Sequence, residues 1–152
     1  MLRKSCLAAM LGLLTLFSLP RSLAIWAAGN KDLENPLVKV ADVPLPGPAV
    51  RFDCLSLDQT QGRLYVSHMN ADQLLVFDIN KNEVVANLDG FPRVHGVWGV
   101  PELSKIYAST TGEHNVAAVD MKTLKTVARV GPIDYPDGLA YALELKEFSC
   151  RI

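Results

Sequence analysis

Asp53, His95 and Asp137 stand 42 residues apart, and they form one column of many. With the chain written in rows of 42, Leu64-Tyr65-Val66-Ser67 falls over Ile106-Tyr107-Ala108-Ser109, Val76-Phe77-Asp78 over Ala118-Val119-Asp120, and Val85-Ala86 over Val127-Ala128. The Asp/His/Asp column is followed by Cys54, Gly96 and Gly138, and then by Leu55, Val97 and Leu139. A repeat of this length constrains the fold more than any other feature, because each copy is one small unit that buries its apolar face only by stacking on the next.

Each row holds four short runs of β-branched, aromatic or alternating apolar residues, separated by Asp, Asn, Gly, Lys and Pro where turns need them. The first row predicts strands at 53–57, 63–69, 73–78 and 83–88; the second at 95–100, 105–111, 115–120 and 125–130. Helical solenoids share the period, but they need amphipathic runs of about ten or more residues at 3.6 spacing, and no such run follows residue 24. Four strands per repeat is the pattern of a propeller blade. The expected fold is therefore all-β, a β-propeller fragment of two to three four-stranded blades over 37–152, with repeats at 53–94 and 95–136 and an incomplete one at 137–152. Leu37 to Leu45 alternates apolar and polar residues and is expected to form an outer strand.

The first residues read differently. Met1-Leu2-Arg3-Lys4 is a short basic stretch, Cys6 to Leu19 is apolar, and Ser22-Leu23-Ala24 offers a small-x-small cleavage site, which predicts a secretory signal peptide at 1–24 and a linker at 25–36. The apolar stretch covers about 21 Å as a helix, short of a bilayer core of about 30 Å, so a membrane anchor is disfavoured. The expected location is secreted or periplasmic, with no membrane association after cleavage. Cleavage removes Arg3, Lys4 and Arg21, leaving 12 basic against 16 acidic residues, a balance that speaks against nucleic acid as a partner. Cys54 and Cys150 remain in an oxidising compartment. A bridge between them is disfavoured, since two cysteines make no framework and Cys150 lies in the tail.

The Asp53, His95 and Asp137 column precedes the innermost strand of each blade, which places it at one mouth of the central channel. Mixed imidazole and carboxylate groups suit ligand binding, a divalent ion or proton transfer. The competing reading is structural: Asp and His ahead of Gly commonly bond nearby backbone N–H groups in turns. Stacked sheets lie about 10 Å apart, so coordination of one ion by all three side chains demands convergence close to the axis. His68 and His114 sit in loops on the same end and are weaker binding candidates, with solvated hairpin turns as the plainer reading. Asp78 and Asp120 read as hairpin caps, and Tyr65, Tyr107, Phe77 and Trp98 as packing aromatics. G-x-S-x-G, phosphate-cradling glycine loops, H-E-x-x-H and paired CxxC are all absent from the sequence. The sequence identifies no cofactor, metal or catalytic residue, and leaves the partner as an unknown small molecule or protein.

Leu64-Tyr65-Val66-Ser67-His68 followed by Val76-Phe77-Asp78 and Val84-Val85-Ala86, and again Ile106-Tyr107-Ala108-Ser109 with Val119-Asp120 and Lys125-Thr126-Val127, resembles the YVTN-type repeat of YncE-like β-propeller proteins. The connecting segments Arg51-Phe52-Asp53, Val94-His95-Gly96-Val97 and Tyr135-Pro136-Asp137-Gly138-Leu139-Ala140 share the likeness, which runs from 37 to about 141. Gln73 departs from it, standing where the second row has Asn115. The resemblance implies a larger ring, usually of about seven blades, within the range of four to eight seen in propellers. It leads to the expectation of an exported binding or interaction scaffold with its ligand site at the channel mouth. The alternatives are a fragment of a propeller enzyme, either a metal-dependent lactonase-like hydrolase or a redox-associated propeller, and a truncated product without a function of its own. An unclosed ring is further expected to self-associate through its open blade edges.

Overall fold

The structure, a computed structural model, describes residues 37–151; the segments read as signal peptide and linker lie outside them. One compact unit, Val40–Ile152, contains every strand. The first four-stranded antiparallel sheet runs in the order β1 (Leu55–Asp58), β2 (Arg63–His68), β3 (Gln73–Asp78) and β4 (Glu83–Asp89). The second runs β5 (Val94–Val100), β6 (Lys105–Thr110), β7 (Asn115–Asp120) and β8 (Thr126–Val130). A two-stranded sheet follows, β9 (Leu139–Ala142) with β10 (Glu147–Cys150). These are two blades and the inner half of a third, in the order the repeat predicts.

The period-2 alternation of each strand assigns its two faces. In β2, Tyr65 and Ser67 pair with Val76 and Leu74 of β3 and point toward the second blade, while Leu64 and Val66 point the other way. The second blade turns Ile106, Ala108, Ala117 and Val119 back to meet them, and with Phe91, Val94 and Val97 they form one continuous core at the junction. Gly99 of β5 is what lets Tyr65 lie flat there, since a Cβ at that position would stand 2.6 Å from its ring. Burial drives the Tyr65 hydroxyl up to about 12, so the ring stays neutral in the core. At the rim, Arg129 Nη2 donates to Gly90 O at 2.6 Å and its guanidinium lies 5.7 Å from the centre of the Phe91 ring, tying the outer strand of one blade to the end of the other.

Three of the tight turns are organised by an aspartate at a strand end. Asp58 Oδ1 accepts from Thr60 N at 2.9 Å, Asp78 Oδ1 from Asn80 N at 2.9 Å, and Asp120 Oδ1 from Lys122 N at 3.1 Å and Thr123 N at 2.9 Å. These are Asx turns, in which a carboxylate satisfies backbone donors that no ladder reaches. The cross-strand cation recurs with the repeat: Arg63 meets Asp78 at 2.8 Å and Lys105 meets Asp120 at 3.3 Å. The Thr123 backbone N–H, the Lys105 ammonium and the Thr123 hydroxyl together hold Asp120 down to about 2. Burial alone would raise Asp78, but the N–H groups of Lys81 and Asn80 and the Arg63 guanidinium outweigh it and hold that carboxyl below its usual value. A depressed carboxylate contributes stability that is fully present above its unfolded value of 3.8 and is lost as pH falls through about 2. The melting temperature is therefore expected to drop across that acid window, and Asp120→Asn to flatten the drop; thermal melts of both proteins followed by circular dichroism at stepped pH check this, and identical acid limbs would contradict it.

One expectation is corrected. Leu37 to Leu45 forms no strand. A strand persists only where a neighbour takes its ladder, and Pro44, Pro46 and Pro48 lack the N–H that pairing requires. Val43 and Leu45 instead roof a cavity over the face of the first blade that bears Leu64, Val66 and Phe77. The connections between second and third strands are hairpin turns largely open to solvent, as expected; Met69–Ala71 and Thr111–Glu113 are single 3-10 turns that bury Met69 and Thr111 and close on exposed left-handed residues, Asp72 and His114.

Candidate functional site

The column residues meet. His95 Nδ1 lies 3.1 Å from Asp53 Oδ2 and 3.6 Å from Asp137 Oδ1, so one side chain from each of three successive repeats reaches a single point. Backbone hydrogen bonds fix both carboxylates just ahead of the innermost strands. Asp53 N donates to Ser67 O at 2.9 Å, and Asp137 N to Arg151 O at 2.9 Å, the same bond two repeats on.

His95 gets there through a β-bulge. Val94 pairs with Thr110 and Val97 with Ala108, so His95 and Gly96 together face Ser109 alone. The extra residue turns the imidazole out of the pleat, as bulges beside sites commonly do. Ser109 takes up the freed backbone groups: its Oγ accepts from Gly96 N at 2.7 Å and donates to Asp137 O at 2.5 Å. Gly96 is required because a Cβ there would run into Asp137 O.

Both oxygens facing His95 Nδ1 belong to carboxylates, which only accept, so Nδ1 is a nitrogen that carries a hydrogen. The ring's Nε2 is buried and has no hydrogen-bond partner among the described residues. His95 is 6% exposed, whereas the Asp137 side chain is 39% exposed and open to solvent. The imidazole thus stands between two carboxylates, and among the described residues no three His, Cys, Asp or Glu side chains are placed to hold a metal ion.

Sequence reading missed three neighbours. Arg51 Nη2 lies 3.3 Å from Asp53 Oδ2, the Tyr135 ring centre lies 5.7 Å from that of His95, and the Cys54 thiol reaches Asp53 Oδ1 at 3.7 Å. Arg51 and Tyr135 each precede a column residue by two, and that shared spacing was the available signal. Burial first, then the charge of Asp53, raises the Cys54 thiol, so it stays protonated and is no nucleophile. Cys54 and Cys150 are both free.

The other two candidates stand apart from this cluster. His68 ends β2 and is 1% exposed; it stacks on Phe52 with ring centres 4.1 Å apart, and its Nε2 lies 3.0 Å from Pro48 O. It ties the 47–52 segment to the first blade. His114 occupies a left-handed position (φ 54°) after its 3-10 turn, exposed, with Nδ1 2.7 Å from Asp134 O.

No protein-family model matches the chain, nor does any curated protein sequence. Solved structures do. The hydrazine synthase of Kuenenia stuttgartiensis is similar over 66% of this chain and 30% of its own, at 14% identity and a TM-score of 0.56. The structure of U3-55K and the WD40 repeats of RRP9 each match 62% of this chain and 29% of theirs, at 14% identity and a TM-score of 0.55. The chain thus spans about 30% of the length of the structures it resembles, and the likeness is one of fold. With two four-stranded antiparallel blades and half of a third, this chain has a β-propeller fold.

Proposed function

We propose that the chain is part of an exported, YncE-like β-propeller that acts as a binding scaffold and holds its ligand at the mouth of the central channel, against Asp53, His95 and Asp137. One observation carries this reading. The innermost connections of three successive repeats bring these side chains together, yet His95 Nε2 is left buried without a partner among the described residues. An unsatisfied buried polar atom costs about 1–3 kcal/mol, a cost that a ligand group reaching it would remove. The matching ligand group is a polar one that hydrogen-bonds to Nε2, on a small molecule or on a partner protein's side chain. Export is supported by the signal-peptide pattern at 1–24, and the YncE likeness by the repeat residues themselves.

The test is a saturation-transfer NMR screen of small amines and alcohols against the full chain and against His95→Gln. Fragments that bind are expected to lose about tenfold in affinity in the variant, the worth of one well-made hydrogen bond. Equal binding to both proteins, or no binding to either, overturns the proposal.

A further inference from the structure

The junction between the two full blades holds a cavity at the end away from His95. β2 runs from Arg63 to His68, and Asp53 N bonds to Ser67 O near its far end, so the turns at 59–62 and 121–125 close the opposite end of the same junction. There a cavity of about 300 Å³ opens, walled by Val76 and Val85 of the first blade and by Met121 and Leu124 of the second. Its size is that of the smaller pockets in which proteins hold ligands, about 300 Å³ and upward. Gln61 Nε2 reaches Met121 Sδ at 3.7 Å, bridging the two blades beside it.

Three polar groups of this lining are donors without a full set of acceptors. Tyr65 is 2% exposed, and its hydroxyl makes no hydrogen bond among the described residues. Burial drives that hydroxyl up to about 12, so it keeps its proton and donates. The exposed Lys122 ammonium has no ion pair among the described residues, and Arg63 gives only Nη1 to Asp78, at 2.8 Å. The carboxylates beside Tyr65 and Arg63, those of Asp58 and Asp78, are buried and lie outside the lining. Arg63 and Tyr65 recur one repeat later as Lys105 and Tyr107, so the repeat itself accounts for them. Gln61 and Lys122 do not recur, since Leu103 and Asn80 stand at their positions.

We infer that this cavity binds a small carboxylic acid, its carboxylate against the Tyr65 hydroxyl, Arg63 and Lys122 and its apolar body against Val76, Val85, Met121 and Leu124. A carboxylate supplies the acceptor oxygens that the lining lacks, in hydrogen bonds strengthened by charge. The apolar body leaves water for four apolar side chains.

Hexanoate and 1-hexanol, titrated into the full chain and followed by amide NMR, test this. Hexanoate is expected to shift the amides of Gln61, Met121 and Lys122, and hexanol, which keeps the chain but lacks the carboxylate, to bind about tenfold more weakly. Tyr65→Phe retains the ring in the core and is expected to lose about tenfold in hexanoate affinity. Lys122→Gln, at an exposed position, is expected to lose about threefold. Both variants are expected to keep the wild-type circular dichroism spectrum. Equal binding of the acid and the alcohol, equal hexanoate affinity in the wild type and both variants, or no shift at these three amides overturns the inference.

Discussion

Leu74→Ala is expected to cost about 2–5 kcal/mol of folding stability, the range for deleting most of a leucine side chain from a core that cannot collapse around the gap. Leu74 is 0% exposed and belongs to the junction cluster with Tyr65, Val76, Phe91 and Ile106, so its removal opens a void in the contact between the two full blades. Small domains hold about 5–15 kcal/mol in all, which makes this one side chain a large part of the whole. The measurement is urea unfolding, read as a lower midpoint at unchanged slope. Val85→Ala, at a position 37% exposed, serves as the comparison and is expected to shift stability far less. Comparable effects of the two would mean that the blades do not pack as described.

Gly96→Ala is expected to cost about 1–3 kcal/mol, the usual penalty for forcing a methyl into a packed site, and to pull the candidate site apart at the same time. The new Cβ would meet Asp137 O, with Leu139 Cγ and Ser109 Oγ both at 3.0 Å. None of the three has room to retreat, since Ser109 is itself pinned between Gly96 N and Asp137 O. The third segment must then move away from the second, separating Asp137 from His95 while Asp53 keeps its hold. Ring-nitrogen NMR of His95 reports that separation directly. Gly138→Ala is the control: its nearest neighbour would be Arg151 Cβ at 3.9 Å, ordinary contact. If both variants leave the His95 signals where they are in the wild type, the packing around Gly96 is looser than drawn.

The eight strands of the two full blades were legible because the pattern that marks them, alternation between turn residues, is also what builds them. Glu83–Asp89 and Asn115–Asp120 fall where Asp, Asn and Gly punctuate the rows. Leu37 to Leu45 shows the limit of that logic. Its alternation is as regular, but a strand is a property of two segments, and alternation in one says nothing about the other. The same reasoning explains what happened at the site. The column gave the positions of Asp53, His95 and Asp137, while their approach depended on a bulge at His95–Gly96, and bulges leave no trace in a period. His68 was misjudged for a different reason: its place at the end of β2 looks like a loop in sequence, yet the pleat turns it inward onto Phe52.

The cluster of Asp53, His95 and Asp137 draws one side chain from each of three successive repeats. A ligand bound there would touch three sheets at once, so its binding free energy would stabilise their arrangement as well as the complex. By mass action, a molecule present at a hundred times its dissociation constant adds about 2.7 kcal/mol to the bound form. Occupancy and rigidity are then the same variable in this protein, and a shift in melting temperature becomes a readout of the ligand itself.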